Sequence, residues 1–539
     1  MLSKVYTAAI SGIEAFPVTI EVEVAAGIGF YIVGMADQAV KESYQRMMAA
    51  LKYSGFEVPH YRTVINLAPA DVRKEGAAFD LPMAIGLLTA SKMIECTGLD
   101  SYIMAGELSL DGSLLPVRGV LPMAVKAREL GFKRLIVPEA NVTEAAVVNR
   151  LEVYGVNNLR EVTEILTGAS HPAPTVINTR ELFTSGSQVF DFDFSEVKGQ
   201  DSVKRAFEVA CAGGHNILMV GPPGAGKSMM AKRLPSILPP LSMAEALETT
   251  KIHSVAGKLS RGSMLMTTRP FRTPHHTVSP VALVGGGQSP MPGEISLAHN
   301  GVLFLDEFPE FPRSVLEVMR QPIEDRVITV SRAKYTVDYP ASFMLVASMN
   351  PCPCGYYGHP TKRCTCTAGQ VSKYMNKISG PLLDRIDLQV EIEPVAFDDM
   401  TDLRPAESSA TIRERVMAAR AVQIERYKSL PGIYCNAQMN SRLLHKYAWP
   451  DAEGLAKLKE RMTKLNMSAR AFDRILRVAR TIADLDYSTR MKPDPTGQNP
   501  DGIPTYTSAE VASLPILVSH LSEAIGYRSL DRGSYGTTF

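Results

Sequence analysis

Three groups of residues in this chain have the types and spacing to do chemistry. The first is Gly221-Pro222-Pro223-Gly224-Ala225-Gly226-Lys227-Ser228. Gly221, Gly224 and Gly226 let successive backbone N–H groups turn inward on an anion, and the helix that follows adds its positive end. Lys227 then reaches the β- and γ-phosphates of a nucleotide, and Ser228 offers a hydroxyl to Mg²⁺. The second group is Asp306-Glu307, which ends the apolar run Val302 to Leu305. Downstream of a phosphate cradle, Asp306 is expected to orient the Mg²⁺ shell and Glu307 to polarise the attacking water. The third is Cys352, Cys354, Cys364 and Cys366, two C-x-C pairs with His359 between them. Four thiolates suit a tetrahedral Zn²⁺ and would close a loop that has little apolar anchoring. The spacing departs from the usual C-x₂-C knuckle, so four free thiols in a small reduced loop is the other reading.

Two further stretches flank these groups. In "RVITVSRAKYTVDYPASF", Val327, Thr329, Tyr335 and Val337 frame a short basic tip, Ser331-Arg332-Ala333-Lys334, which reads as a hairpin. Arg332 and Lys334 either grip phosphates without reading sequence or solvate a surface turn. The Gly/Pro/His-rich stretch 269–301 has too few periodic apolar residues for a simple helix. Its His275 and His276 suit structural packing or turn chemistry, or else a role in a central pore; metal chemistry is not indicated.

The elements that must hold these residues follow from periodicity. Ile217 to Val220 is an apolar run of strand length feeding the glycine-rich turn, and Met229, Met230, Leu234 and Ile237 continue it as a helix. A helix from Ser202 to Ala212 leads into that strand. The N-terminal segment alternates strand-like and helix-like runs, with Ala39, Tyr44, Met47, Met48 and Leu51 at helical spacing, which predicts a mixed α/β domain. Near the C-terminus, Ser468 suits an N-cap and Ile475, Leu476, Ala479, Ile482 and Leu485 make an apolar stripe. Residues 171–194 read as a Pro/Ser/Thr-rich linker and 486–506 as a turn-rich insertion.

At 539 residues the chain is too long for one core. With 57 basic against 56 acidic side chains, any nucleic-acid contact must come from local basic patches. Lys74, Arg118, Lys126, Arg128, Lys133 and Arg134 could form such a patch or a solvated helix face. No apolar run approaches the ~20 residues of a membrane span, and the N-terminus lacks the pattern of a secretory signal. Seven cysteines, four of them clustered, fit a reducing cytoplasm better than a disulfide framework.

Several motifs carry resemblances. "LAPADVRKEGAAFDLPMAIGLL" followed by "GELSLDGSLLPVRGVLPMAVKARELGFKRLIVP" resembles the proteolytic domain of Lon-type proteases. At the position of their Ser nucleophile this chain has Ala78 or its neighbour Ala77, and Leu121 falls where the activating Lys should be. With neither hydroxyl nor amine there is no activated nucleophile, so residues 1–170 are expected to be a non-proteolytic scaffold. Residues 195–400 resemble an AAA+ ATPase core. Within that resemblance Asn350, after the strand "FMLVASM", matches the first sensor, Arg385 in "LLDR" matches the finger that reaches a neighbouring subunit's γ-phosphate, and Arg470 in "SARAFDR" matches the second sensor of a helical lid spanning 401–539. The insert at 269–301 and the hairpin before the sensor strand are marks of the magnesium-chelatase and helicase branch, where the hairpin points into a central pore.

Together the motifs resemble the magnesium-chelatase-like AAA+ family of the bacterial competence protein ComM (YifB). The fold implied is a Lon-protease-like α+β N-terminal domain, a P-loop AAA+ α/β core and a C-terminal helical lid. The resemblance further implies a cytoplasmic homo-hexameric ring, using ATP and Mg²⁺, that translocates on single-stranded or branched DNA with little sequence preference and drives branch migration in recombination. The first rival is a remodelling ATPase that assists metal insertion into a partner protein. An ATP-dependent protease is the second, and Ala77, Ala78 and Leu121 oppose it.

Overall fold

The computed structural model describes residues 1–57, 61–179, 190–259, 264–287, 290–332, 335–395, 404, 406–430, 432–465, 467–489, 507–528 and 530. Lys334, residues 180–189 of the expected linker and residues 490–506 of the expected insertion lie outside that set.

The N-terminal region is built on seven strands, β1 (Leu2–Ser11), β2 (Glu14–Ala25), β3 (Gly29–Val33), β4 (Arg62–Ala68), β5 (Tyr102–Met104), β6 (Arg134–Pro138) and β7 (Glu152–Val156), in the order β3-β4-β2-β1-β5-β6-β7. β1 and β2 pair antiparallel from Leu2↔Glu23 to Ser11↔Glu14, and β2 buries Val18, Ile20, Val22 and Val24 at every second position. That period of two is what fixes its register. The helices that cover the sheet include α1 (Gln38–Tyr53), α2 (Asp80–Ala90) and α3 (Val120–Glu129). α1 starts where the Asp37 carboxylate accepts the Val40 N–H, and it buries Val40, Met47, Ala50 and Leu51.

The positions assigned to a protease's Ser and Lys fall on one apolar cluster, in which Leu121 is fully buried and against which Ala78 packs. Lys74 departs from both readings of the basic residues, since it lies on no surface. Its side chain is buried, and its ammonium donates to the carbonyls of Pro69 and, at 2.6 Å, of Val72. Carbonyls supplied by its own loop are what make that burial tolerable.

The second sheet is parallel and has the order β9-β10-β13-β8-β14. Its strands are β8 (Ile217–Val220), β9 (Phe271–Arg272), β10 (Val302–Leu305), β13 (Met344–Met349) and β14 (Leu388–Glu391). β8, β10 and β13 are buried at every residue, the pattern of a sheet covered on both faces. An antiparallel hairpin of β11 (Val327–Arg332) and β12 (Tyr335–Pro340) stands before β13, with Arg332 paired to Tyr335 next to the tip. Helices α4 (Asp201–Gly213), α5 (Lys227–Ala231) and α6 (Met243–Val255) belong to this region.

The lid consists mainly of α7 (Ser409–Tyr427), α8 (Ala469–Ser488) and α9 (Val518–Gly526). Ser468 caps α8 by accepting the Ala471 N–H, and all five residues of the expected stripe are buried. They pack with Phe207 and Val209 of α4, so lid and sheet share one core. Between the two sheets, helix α6 is the joint. The Ser254 carbonyl accepts the Gly119 N–H at 3.3 Å, its hydroxyl donates to the buried Glu144, and Lys251 pairs with Glu14 at 3.0 Å. No helix among the described residues is long and apolar enough to cross a membrane.

Candidate active site

The cradle forms where β8 ends. Gly221 passes so close to β14's continuation that a Cβ there would sit 2.4 Å from the Ile392 carbonyl oxygen, so no other residue fits. Gly224 and Gly226 take φ of +80° and +85°, which turns the loop back on itself. Lys227 opens α5 and is buried. Its Nζ donates to the carbonyls of Gly221 at 2.6 Å and Pro222 at 2.9 Å and to Asn350 Oδ1 at 3.0 Å. Burial holds its ammonium below the usual lysine range, against the pull of Asp306 and Glu307.

Parallel pairing brings the remaining groups to the same edge. Leu305 lies opposite Ala347, so Asp306 and Ser348 are neighbours just past that pair. The Ser228 hydroxyl donates to Asp306 Oδ2 at 2.6 Å, while Oδ1 accepts the hydroxyl of Ser348 and, at 3.0 Å, the Glu307 N–H. Ser228 and Asp306 therefore present adjoining oxygens, the hard donors that suit Mg²⁺. Ser348 is a site residue that the sequence reading missed. Its one signal is a hydroxyl fully buried in an otherwise apolar strand.

Lys227, Ser228, Asp306, Glu307 and Asn350 thus gather at the C-terminal edge of the parallel sheet. Arg385 and Arg470 do not join them. Arg385 is buried, donating to the Pro381 carbonyl at 2.6 Å and to Glu324 at 2.8 Å rather than to Asp384 or Asp387. Its own carbonyl accepts from Asn216, the residue before β8. Arg470 is exposed and lines a cavity of about 380 Å³ with Gly214, Asn216, Glu324, Phe343 and Asp387. Those residues precede β8, β13 and β14, so this cavity opens at the N-terminal edge. Arg470, expected as the second sensor, thus lies at that edge and not beside the cradle of its own chain.

The cysteines come together as a cluster directly after Asn350. Sγ of Cys352, Cys354, Cys364 and Cys366 all lie within 4.8 Å of one another, with Cys352 3.3 Å from Cys354 and 3.7 Å from Cys364, and Cys354 3.5 Å from Cys364. Zn–S bonds of about 2.3 Å in a tetrahedron put sulfurs about 3.8 Å apart, so the four fit one ion. N–H groups of Tyr356 and Thr365 hold the Cys354 thiol well below its ordinary range. His359 stays outside the cluster, its Nδ1 accepting the Thr361 and Lys362 N–H groups. The cluster also abuts the cradle: Gly355 has φ of +83°, and a Cβ on it would lie 2.5 Å from the Pro223 ring.

Of the hairpin pair, Arg332 holds its register position at the end of β11, and Lys334 lies outside the described residues.

Comparison with known proteins finds three stretches of the chain that match family models. Residues 193–400 match the family described as magnesium chelatase, subunit ChlI; residues 20–141 match subunit ChlI of Mg-chelatase, and 406–497 its C-terminal part. The chain is 41% identical over 537 residues to the uncharacterized protein YifB of Escherichia coli, covering 98% of each. It is 39% identical over 535 residues to the competence protein ComM of Haemophilus influenzae, again covering 98% of each. A stretch of 139 residues, 25% of the chain, is 27% identical to the archaeal Lon protease of Thermococcus kodakarensis.

Proposed function

Because the chain belongs to the magnesium-chelatase-like AAA+ ATPase family that includes YifB and ComM, we propose that it is a ring motor, a hexamer, that hydrolyses ATP to move along DNA and drives branch migration during natural transformation. In this reading Lys227 leaves the loop carbonyls for the β- and γ-phosphates. Ser228 and Asp306 hold Mg²⁺, which when bound draws charge from the phosphate oxygens. Glu307 accepts a proton from the attacking water, and Asn350 orients that water. Arg385 and Arg470 act on the nucleotide of the adjacent subunit.

The observation that carries the shared site is the separation of those arginines from their own cradle. They and the cradle lie at opposite edges of a sheet whose strand β8, four residues long, spans about 13 Å at ~3.3 Å per residue. A cradle and an arginine pair that cannot meet within one chain are complementary between two. DNA as the track is supported by the hairpin of β11 and β12, by the two basic residues, Arg332 and Lys334, in the sequence joining its strands, and by the competence protein among the relatives.

The cysteine cluster is read as a structural zinc clasp that steadies Asn350 and the Pro223 side of the cradle. A closed four-thiolate shell leaves no position for chemistry.

The second reading, a remodelling ATPase that assists metal insertion, is favoured by the family's name alone. ATP turnover measured with and without single-stranded and branched DNA separates the two. Stimulation by DNA that disappears in the double variant Arg332→Ala/Lys334→Ala is expected, with affinity falling steeply as salt rises. No stimulation by any DNA would sink the translocase.

A further inference from the structure

The cavity of about 380 Å³ at the N-terminal edge of the parallel sheet carries more positive charge than its own chain neutralises. Arg326, Arg470, Arg474 and Arg477 line it, against the carboxylates of Glu324, Asp387 and Asp473. Two of those carboxylates are already engaged. Glu324 pairs with Arg385 at 2.8 Å, and Asp387 pairs with Arg474 at 2.8 Å while also accepting the Asn216 N–H. Asp473 accepts the hydroxyl of Ser441 and makes no ion pair among the described residues.

Arg326 and Arg477 are left without a carboxylate. Arg326, just before β11, donates to neutral acceptors, the Ser342 hydroxyl and the Ala437 carbonyl, both at 3.3 Å. The guanidinium of Arg477 has no hydrogen bond or ion pair among the described residues, and its Nε is buried. Burial pushes Arg477 down to about 10, with the charges of Arg474 and Arg326 adding to the effect, and burial holds Arg326 below its usual range as well. A cation withdrawn from water without a partner is costly, and two that repel each other are costlier. An anion between them offsets that cost.

The donors say which kind of anion fits. Guanidinium groups present planar forks that match the oxygens of carboxylates and phosphates in pairs. Two uncompensated charges call for a dianion, which a phosphate group approaches near neutral pH and a single carboxylate does not. The volume is that of a small ligand pocket. An adjacent subunit's nucleotide leaves the need unmet. Arg470 and Arg477 share one face of α8, but the seven residues between them rise about 10.5 Å at ~1.5 Å per residue. A γ-phosphate held at the exposed Arg470 lies two turns short of Arg477.

We propose that Arg326 and Arg477 form a binding site for a phosphate group, either inorganic phosphate or the terminal phosphate of a free nucleotide. Arg326 precedes the hairpin of the sheet region and Arg477 lies in the lid, so the bound anion joins the two. The site is complete within one chain and does not depend on the ATPase reading.

The test is equilibrium dialysis of the full-length chain against radiolabelled inorganic phosphate and, separately, labelled ADP, with ionic strength fixed by chloride. Lys227→Ala serves as the parent, because the cradle also takes phosphate. About one ligand per parent chain is expected, and Arg326→Gln or Arg477→Gln should weaken binding about ten- to hundredfold, the span of a hydrogen bond to a charged group. Loss of inorganic phosphate in the glutamine variants identifies free phosphate as the ligand; loss of ADP alone identifies a phosphate carried on a nucleotide. Without ligand, Arg477→Gln should melt no lower than its parent, since an uncompensated charge has gone, whereas a guanidinium with only a structural role would lower the midpoint. Failure of the folded parent to bind either ligand, or binding that both glutamine variants retain in full, overturns the site. Nucleotide binding by the cradle, read with ATP on the chain that keeps Lys227, stands apart from that result.

Discussion

Asp306 shows how much a single carboxylate depends on what surrounds it. Its Oδ2 takes the Ser228 hydroxyl, and its Oδ1 takes Ser348 and the Glu307 N–H, so the carboxylate plane is set before any ion arrives. Partners that orient metal ligands typically matter ten- to a hundredfold in metal affinity. Ser348→Ala is therefore expected to raise the Mg²⁺ concentration for half-maximal ATP turnover about tenfold, with little change in stability, as read by Mg²⁺ titration at saturating ATP. An unchanged midpoint would show that Ser348 only fills the strand. The glycine-rich loop and Asp306-Glu307 were legible because their chemistry needs specific types at fixed places. Ser348 was not, because one small hydroxyl in an apolar strand acquires meaning only from the register that sets Leu305 opposite Ala347. Lys74 misled for the same kind of reason, since nothing in the sequence shows that its own loop folds two carbonyls over the ammonium.

At the scale of elements, periodicity carried furthest where one face is buried against one partner. The helix expected from Ser202 to Ala212 runs Asp201–Gly213, the hairpin forms with Val330 opposite Val337, and the α8 stripe is wholly in the core. The stretch 269–301 resisted reading because its strand, short helix and strand pair are each only a few residues long and are held by contacts to β10, β12 and Glu307. The cysteine loop is the other short element whose stability must come from outside an apolar core. The clasp reading predicts about one zinc per chain by elemental analysis of protein purified without chelator. Cys354→Ser/Cys364→Ser should lose that zinc and bind ATP several-fold more weakly, because Gly355 backs directly onto Pro223. Metal-free protein with undiminished ATP affinity would refute the clasp.

For the whole molecule, the shared-site proposal distributes one reaction's groups over two edges of one sheet. Lys227→Ala, which leaves Arg385 intact, and Arg385→Ala, which leaves the cradle intact, should each be inactive alone. Mixed in equal amounts they should recover a fraction of wild-type turnover, because an intact cradle then meets an intact arginine in some of the contacts. Absence of recovery, with both variants shown to assemble, would place the arginine's role within its own chain. The N-terminal sheet is tied to helix α6 of the ATPase core through Ser254, Gly119 and Glu144.

That two-edged arrangement has a consequence for inheritance. A contact in which one edge meets the opposite edge of the next copy is head-to-tail, and every copy in the assembly serves as both donor and recipient. A cell carrying one normal gene and one encoding Arg385→Ala would then build mixed assemblies in which the altered product silences sites that are themselves intact. The mutant allele should behave as dominant over the normal one, whereas an allele whose product cannot join the assembly should be recessive.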